Sequence, residues 1–135
     1  MSAVIERLLD QLDRAYRRKA WHGPALLECL AGLSAKDAAA RPVKGAHSIW
    51  ELVEHIASWD EIVALRLKGR KPQVAPEYNF PPVTNTTPAA WKATLRRLAR
   101  CHGLLRRTVA AFPPAKVGRA RPGAGMTWYV LIHGA

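Results

Sequence analysis

Apolar side chains return at intervals of three and four residues over three separate stretches of this chain. Only an α-helix turns such spacing into one continuous face, so the pattern constrains the fold more than any other feature. Ile5, Leu8, Leu9, Leu12 and Tyr16 form the first stripe, and Leu52, Ile56, Trp59, Val63 and Leu67 the second. The third runs through Trp91, Leu95, Leu98, His102, Leu105, Val109 and Phe112. Proline and glycine clusters separate the stretches. Gly23-Pro24 precedes a shorter stripe of Leu26, Leu27, Leu30 and Leu33, and Ser34 to Ala40 is alanine-rich enough for a short turn of helix. The best start signal is Ser48-Ile49-Trp50-Glu51, a capping box in which each side chain takes up an orphan backbone amide of the first turn. Thr87-Pro88 is a cap followed by a first-turn proline, and Pro113-Pro114 ends the helix it starts.

Residues 70–87 contain Pro72, Pro76, Pro81 and Pro82 and read as a long crossover loop without its own helix or strand. Loops of that length in compact domains are often functional. The final run, Met126 to Ala135, is apolar on nearly every side. Periodicity alone does not separate a buried strand from a buried helix there, but no partner strand is in sight and helix is the expectation. Helices are thus expected over about 2–19, 24–33, 48–69, 88–112 and 126–135, in one domain spanning 1–135. The fold class is all-α, a four-helix bundle with a long crossover loop, laid out up-down-down-up. The last helix looks truncated, and the apolar surface it leaves open predicts a homodimer.

Charge bears on function. The chain carries 21 lysines and arginines against 10 acidic residues, a formal net charge of +11. All acidic residues lie at or before Glu77. Such asymmetry marks some nucleic-acid surfaces. The basic residues Lys92, Arg96, Arg97, Arg100, Arg106 and Arg107 sit mostly off the third apolar stripe, yet no reading motif or interleaved exposed aromatics accompany them. A solvated cationic face is the expectation, with nucleic-acid binding the weaker alternative. No apolar run approaches the roughly 20 residues that span a bilayer, and the charged N-terminal segment has no signal-peptide form, so a cytoplasmic location without membrane association is expected. Cys29 and Cys101 have neither metal-site nor disulfide-scaffold spacing, and both are expected as buried, inert thiols.

The candidate chemistry rests on histidines. His22, His47, His55, His102 and His133 include no pair spaced for a preformed helical metal site. His55 projects from the edge of the second stripe, either as a core histidine satisfied by a backbone carbonyl or as a ligand. His102 occupies a core position and His47 positions the turn before the capping serine. His22 lies at a helix break, and His133 faces either a core or a cofactor. Glu51, Glu54, Asp60 and Glu61 are expected on a solvated face, with the alternative for Glu51, one turn before His55, that it orients the His55 ring. No phosphate-binding loop and no Gly-x-Ser-x-Gly elbow is present.

Several stretches together resemble the DinB-like superfamily of bacterial four-helix bundles: Ala20 to Leu33, His47-Ser-Ile-Trp-Glu-Leu-Val-Glu-His-Ile-Ala-Ser-Trp59, Phe80-Pro-Pro-Val with Trp91 beyond it, and Trp128 to Ala135. The resemblance covers essentially the whole chain. It implies a divalent metal, zinc or nickel, held by one histidine of the second long helix and by two from a His-x-x-x-His motif of the last. It also implies thiol-dependent transfer or hydrolase-like chemistry with a low-molecular-weight thiol or another small molecule. His55 matches the first ligand. The sequence stops before the other two, which leaves His22 and His133 as the remaining candidates. One imidazole does not hold zinc or nickel, so the expected protein is a metal-dependent enzyme inactive in this form, or a non-catalytic binding or interaction module.

Overall fold

The computed structural model describes all 135 residues and is all-helical. Its elements are α1 (Ala3–Tyr16), α2 (Leu26–Leu30), α3 (Ala35–Ala39), α4 (Ile49–Leu67), α5 (Pro76–Asn79), α6 (Pro88–Ala110), a 3-10 turn (Pro114–Lys116) and α7 (Trp128–His133). Ala120 and Thr127 form an isolated bridge. The caps are those the sequence encodes. Ser48 Oγ accepts the Glu51 amide and Glu51 Oε1 accepts the Ser48 amide, each at 3.1 Å, which fixes where α4 begins. Thr87 Oγ1 starts α6 in the same way by accepting the Ala90 amide at 3.2 Å. Thr127 Oγ1 starts α7 by accepting from Val130 at 3.2 Å.

Contacts between α4 and α6 ascend together. Trp50 Nε1 donates to Thr94 Oγ1 at 2.9 Å, and one turn further Arg97 donates to Glu54 at 2.7 Å and to Ser58 Oγ at 3.0 Å. The two helices therefore run parallel, as a crossover connection requires. The N-terminal end of α1 packs with the C-terminal halves of α4 and α6, since Ile5 and Leu8 share a core cluster with Val63, Leu67, Leu105 and Val109. Tyr16, at the other end of α1, clusters with Trp50, Val53, Trp91 and Leu98. α1 is thus antiparallel to both. α7 adds Leu131 and Ile132 to the first cluster. Its chain then continues to the region between the clusters, so it runs alongside α1 in direction. The layout is up-down-down-up.

Several expectations are corrected. α2 is a single turn ending at Leu30, because Gly32 takes φ +77°, a conformation that reverses the chain and favours glycine. The crossover contains a turn of helix, α5, started by Pro76 at its first position. The buried face of α4 differs in phase from the stripe read off the sequence: Leu52 is 44% exposed, whereas Trp50, Val53 and Ala57 are buried. Cys29 is exposed, not buried, because α2 lies on the surface. Cys101 is buried as expected, and burial pushes its thiol up from its usual range.

Candidate functional site

The two core clusters do not meet completely. Between them lies a cavity of about 630 Å³, bounded by Leu12, Ala15 and Tyr16 of α1, Leu26 of α2, His55, Ile56, Trp59 and Asp60 of α4, Asn79, His102 and the Gly134-Ala135 segment. Its walls are mainly apolar with a few convergent polar groups, the usual make-up of a small-molecule site.

His55 stands at one edge. Its Nδ1 lies 2.7 Å from the carbonyl oxygen of Asn79, and since a carbonyl only accepts, the neutral ring carries its proton on Nδ1 and keeps a lone pair on Nε2. The same residue holds the indole beside it, Trp59 Nε1 donating to Asn79 Oδ1 at 2.8 Å. The next residue, Phe80, is clamped between two imidazoles, stacked on His47 at 4.0 Å and on His55 at 4.1 Å, with both ring pairs within 10° of parallel. The crossover is therefore fastened over the cavity edge by two consecutive residues, Asn79 and Phe80.

His102, on the opposite side, is buried and stacked on Tyr16 at 4.0 Å. Its Nε2 donates to Asp13 Oδ1 at 3.3 Å, and Asp13 also receives Arg106 Nε at 3.0 Å. Burial outweighs the Asp13 carboxylate and lowers the His102 pKa, which favours a neutral ring.

Asp60 is different from every other acid in the chain. It is only 6% exposed, lines the cavity, and makes neither a hydrogen bond nor an ion pair within the protein. Burial alone pushes its carboxyl up to about 7. The expectation of a solvated acidic face fails here, and the sequence holds the signal that could have found it. Val53, Ala57, Asp60, Ala64 and Leu67 are spaced four, three, four and three, so Asp60 occupies a position of the true buried stripe of α4. Glu54 is not on a solvated face either. It takes Arg97 at 2.7 Å and the Thr94 hydroxyl at 2.6 Å in a polar network between α4 and α6. That network also removes Arg97 from the free cationic face of α6.

Glu51 does not reach His55. Its carboxylate is taken by His47 Nδ1 at 3.0 Å, the Ser48 amide and Arg41, which together hold it down at about 2, the His47 contact contributing most. His22 and His133 are both exposed and line a neighbouring, smaller cavity with Trp21 and Gln11, not the one His55 lines. The divalent metal implied by the resemblance therefore finds no fitting donor set in these residues. No three of the His, Cys, Asp and Glu side chains come together as a possible metal site, and His55 has one ring nitrogen committed to Asn79.

A family model described as DinB superfamily matches residues 18–133. Neither the curated proteins nor the solved structures contain a match to the chain.

Proposed function

The chain belongs to the DinB superfamily, and on that premise we propose that it is a small-molecule-binding bundle whose ligand occupies the cavity between the two halves of its core. The observation that carries this reading is the cavity itself: about 630 Å³, walled by Leu12, Leu26, Ile56 and Trp59, with the His55 imidazole and the unpartnered Asp60 carboxyl opening into it. That volume suits a compact organic molecule with an apolar body and one or two polar ends. Metal-dependent thiol transfer would need ligands beyond His55 that these residues do not assemble, so the reading is one of binding, with no metal-borne step.

The test uses a cavity-filling change. Ala15 borders the site on α1, and Ala15→Phe adds a ring there while every polar side chain of the site is kept. A ligand at a hundred times its dissociation constant stabilises a folded protein by about 2.7 kcal/mol. With 4-phenylbutan-1-ol as the probe, the unfolding midpoint of the unaltered protein should rise by several degrees, while that of Ala15→Phe should stay in place. No rise, or an equal rise in both proteins, would sink the reading.

A further inference from the structure

Most polar side chains around the cavity have a partner, the Tyr16 hydroxyl and the neighbouring Gln11 Oε1 being exceptions. His55 has the Asn79 carbonyl, Trp59 the Asn79 side chain and His102 the Asp13 carboxylate. Asp60 has none, although it is more than nine-tenths buried and borders open space. An acid in that position costs stability whenever it ionises, unless a complementary charge arrives from outside the chain. The protein's own cations do not supply one. Arg17 lies over the Tyr16 ring at 5.6 Å, Arg97 is taken by Glu54 and Ser58, and Arg106 by Asp13.

Building on the cavity reading above, we propose that the ligand is a cationic small molecule, an amine with an apolar body, whose ammonium group pairs with the Asp60 carboxylate while its hydrocarbon part packs on Leu12, Ile56 and Trp59. The pairing is a charge-assisted hydrogen bond to a carboxyl that is itself only 6% exposed, the setting in which such contacts are strongest. It also gives selectivity. A neutral molecule of the same shape leaves the carboxyl unsatisfied, and an anion meets repulsion. The ionised state of Asp60 that the ammonium requires is available at slightly alkaline pH, in keeping with the raised pKa of this group.

Isothermal titration with two probes of one shape separates the possibilities: 4-phenylbutylamine, whose amine resembles the lysine ammonium with its pKa of about 10.4, and neutral 4-phenylbutan-1-ol. At about pH 8 the amine should bind at least roughly tenfold more tightly than the alcohol, a difference of about 1.4 kcal/mol. In Asp60→Asn that preference should vanish while the alcohol's affinity stays within about twofold. A second measurement, on the unaltered protein, does not depend on the variant folding. From about pH 8 to about pH 5.5 the amine should weaken and the alcohol should not, as Asp60 takes up its proton. The titratable groups facing the same space are Tyr16 on α1, His55 on α4 itself and His102 on α6, with the Cys101 thiol of α6 buried nearby. Any fall that remains in Asp60→Asn measures the share of the other groups, of which His102 has its pKa lowered by burial. Equal binding of amine and alcohol, a preference that survives in Asp60→Asn, or an amine affinity flat with pH overturns the cationic-ligand inference and leaves the cavity reading standing. If neither probe binds, or if Ala15→Phe still binds both, the cavity reading falls and this inference with it.

Discussion

Asp60 concentrates the physical tension of this molecule in one side chain. In the unfolded chain its carboxyl titrates near the ordinary aspartate value of about 3.9, whereas burial in the fold raises it to about 7. Between those values the folded state holds a proton that the unfolded state has released, so folding stability falls as pH rises through this window and levels off above it. The loss is on the order of a few kcal/mol, since each unit of pKa difference is worth about 1.4 kcal/mol. Asp60→Asn removes this slope. The variant should match the wild type within roughly 1 kcal/mol at about pH 4 and exceed it by about 1–4 kcal/mol at about pH 8. Urea unfolding at the two pH values checks this; a gap of the same size at both would show that Asp60 titrates normally. Glu51 works in the opposite sense. Its pKa lies below the unfolded value, so the stability it contributes is present at neutral pH and is lost as pH falls toward about 2.

Among the elements, α4 decides most of the architecture because it carries both the cap that fixes its start and the polar residues that fix its partner. The Glu54–Arg97 pair has side chains 14% and 22% exposed; Thr94 donates to Glu54 and itself accepts from Trp50, and Ser58 accepts from Arg97. Removing one member strands the other. Arg97→Met should cost about 2–4 kcal/mol in unfolding free energy, and adding Glu54→Met should recover part of that loss. A single-variant cost below about 0.5 kcal/mol would mean that the pair is screened like an exposed one. The caps at Ser48 and Thr87 were legible because capping is local chemistry between residues three apart, and Thr127 caps α7 by the same chemistry without having been read from the sequence. The buried phase of α4 was not. Its aliphatic residues fall on both sides of the helix, and choosing Leu52, Ile56 and Trp59 as the stripe put Asp60 on the wrong face. Ile56 and Trp59 do face inward, but toward the cavity and not into a closed core. The α5 turn was hidden for a related reason, since a four-residue helix has no period to read and only Pro76 announces it.

At the scale of the whole molecule, the bundle and its layout follow from three amphipathic stretches, one crossover and the final apolar run. What the sequence could not convey is where the halves of the core fail to close. A cavity depends on the relative placement of Leu12, Ile56, His102 and Ala135, which are far apart in the chain and belong to four different segments. Similarly, His55 could be singled out by resemblance and by its place beside the stripe, but its partner, the Asn79 carbonyl, comes from 24 residues away across a loop. The positive charge of the C-terminal half is partly absorbed by pairing across the bundle, through Arg97 with Glu54 and Arg106 with Asp13.

The most direct test of the account is an amide chemical-shift map of the isotopically labelled protein titrated with 4-phenylbutylamine. The account predicts saturable shifts clustered on Ala15, Tyr16, Ile56, Trp59, Asp60 and His102, with the amides of α3 and the outer face of α6 unmoved. Shifts centred on the exposed Met126–Val130 surface or on the smaller His22–His133 cavity, with Asp60 and Trp59 still, would contradict it.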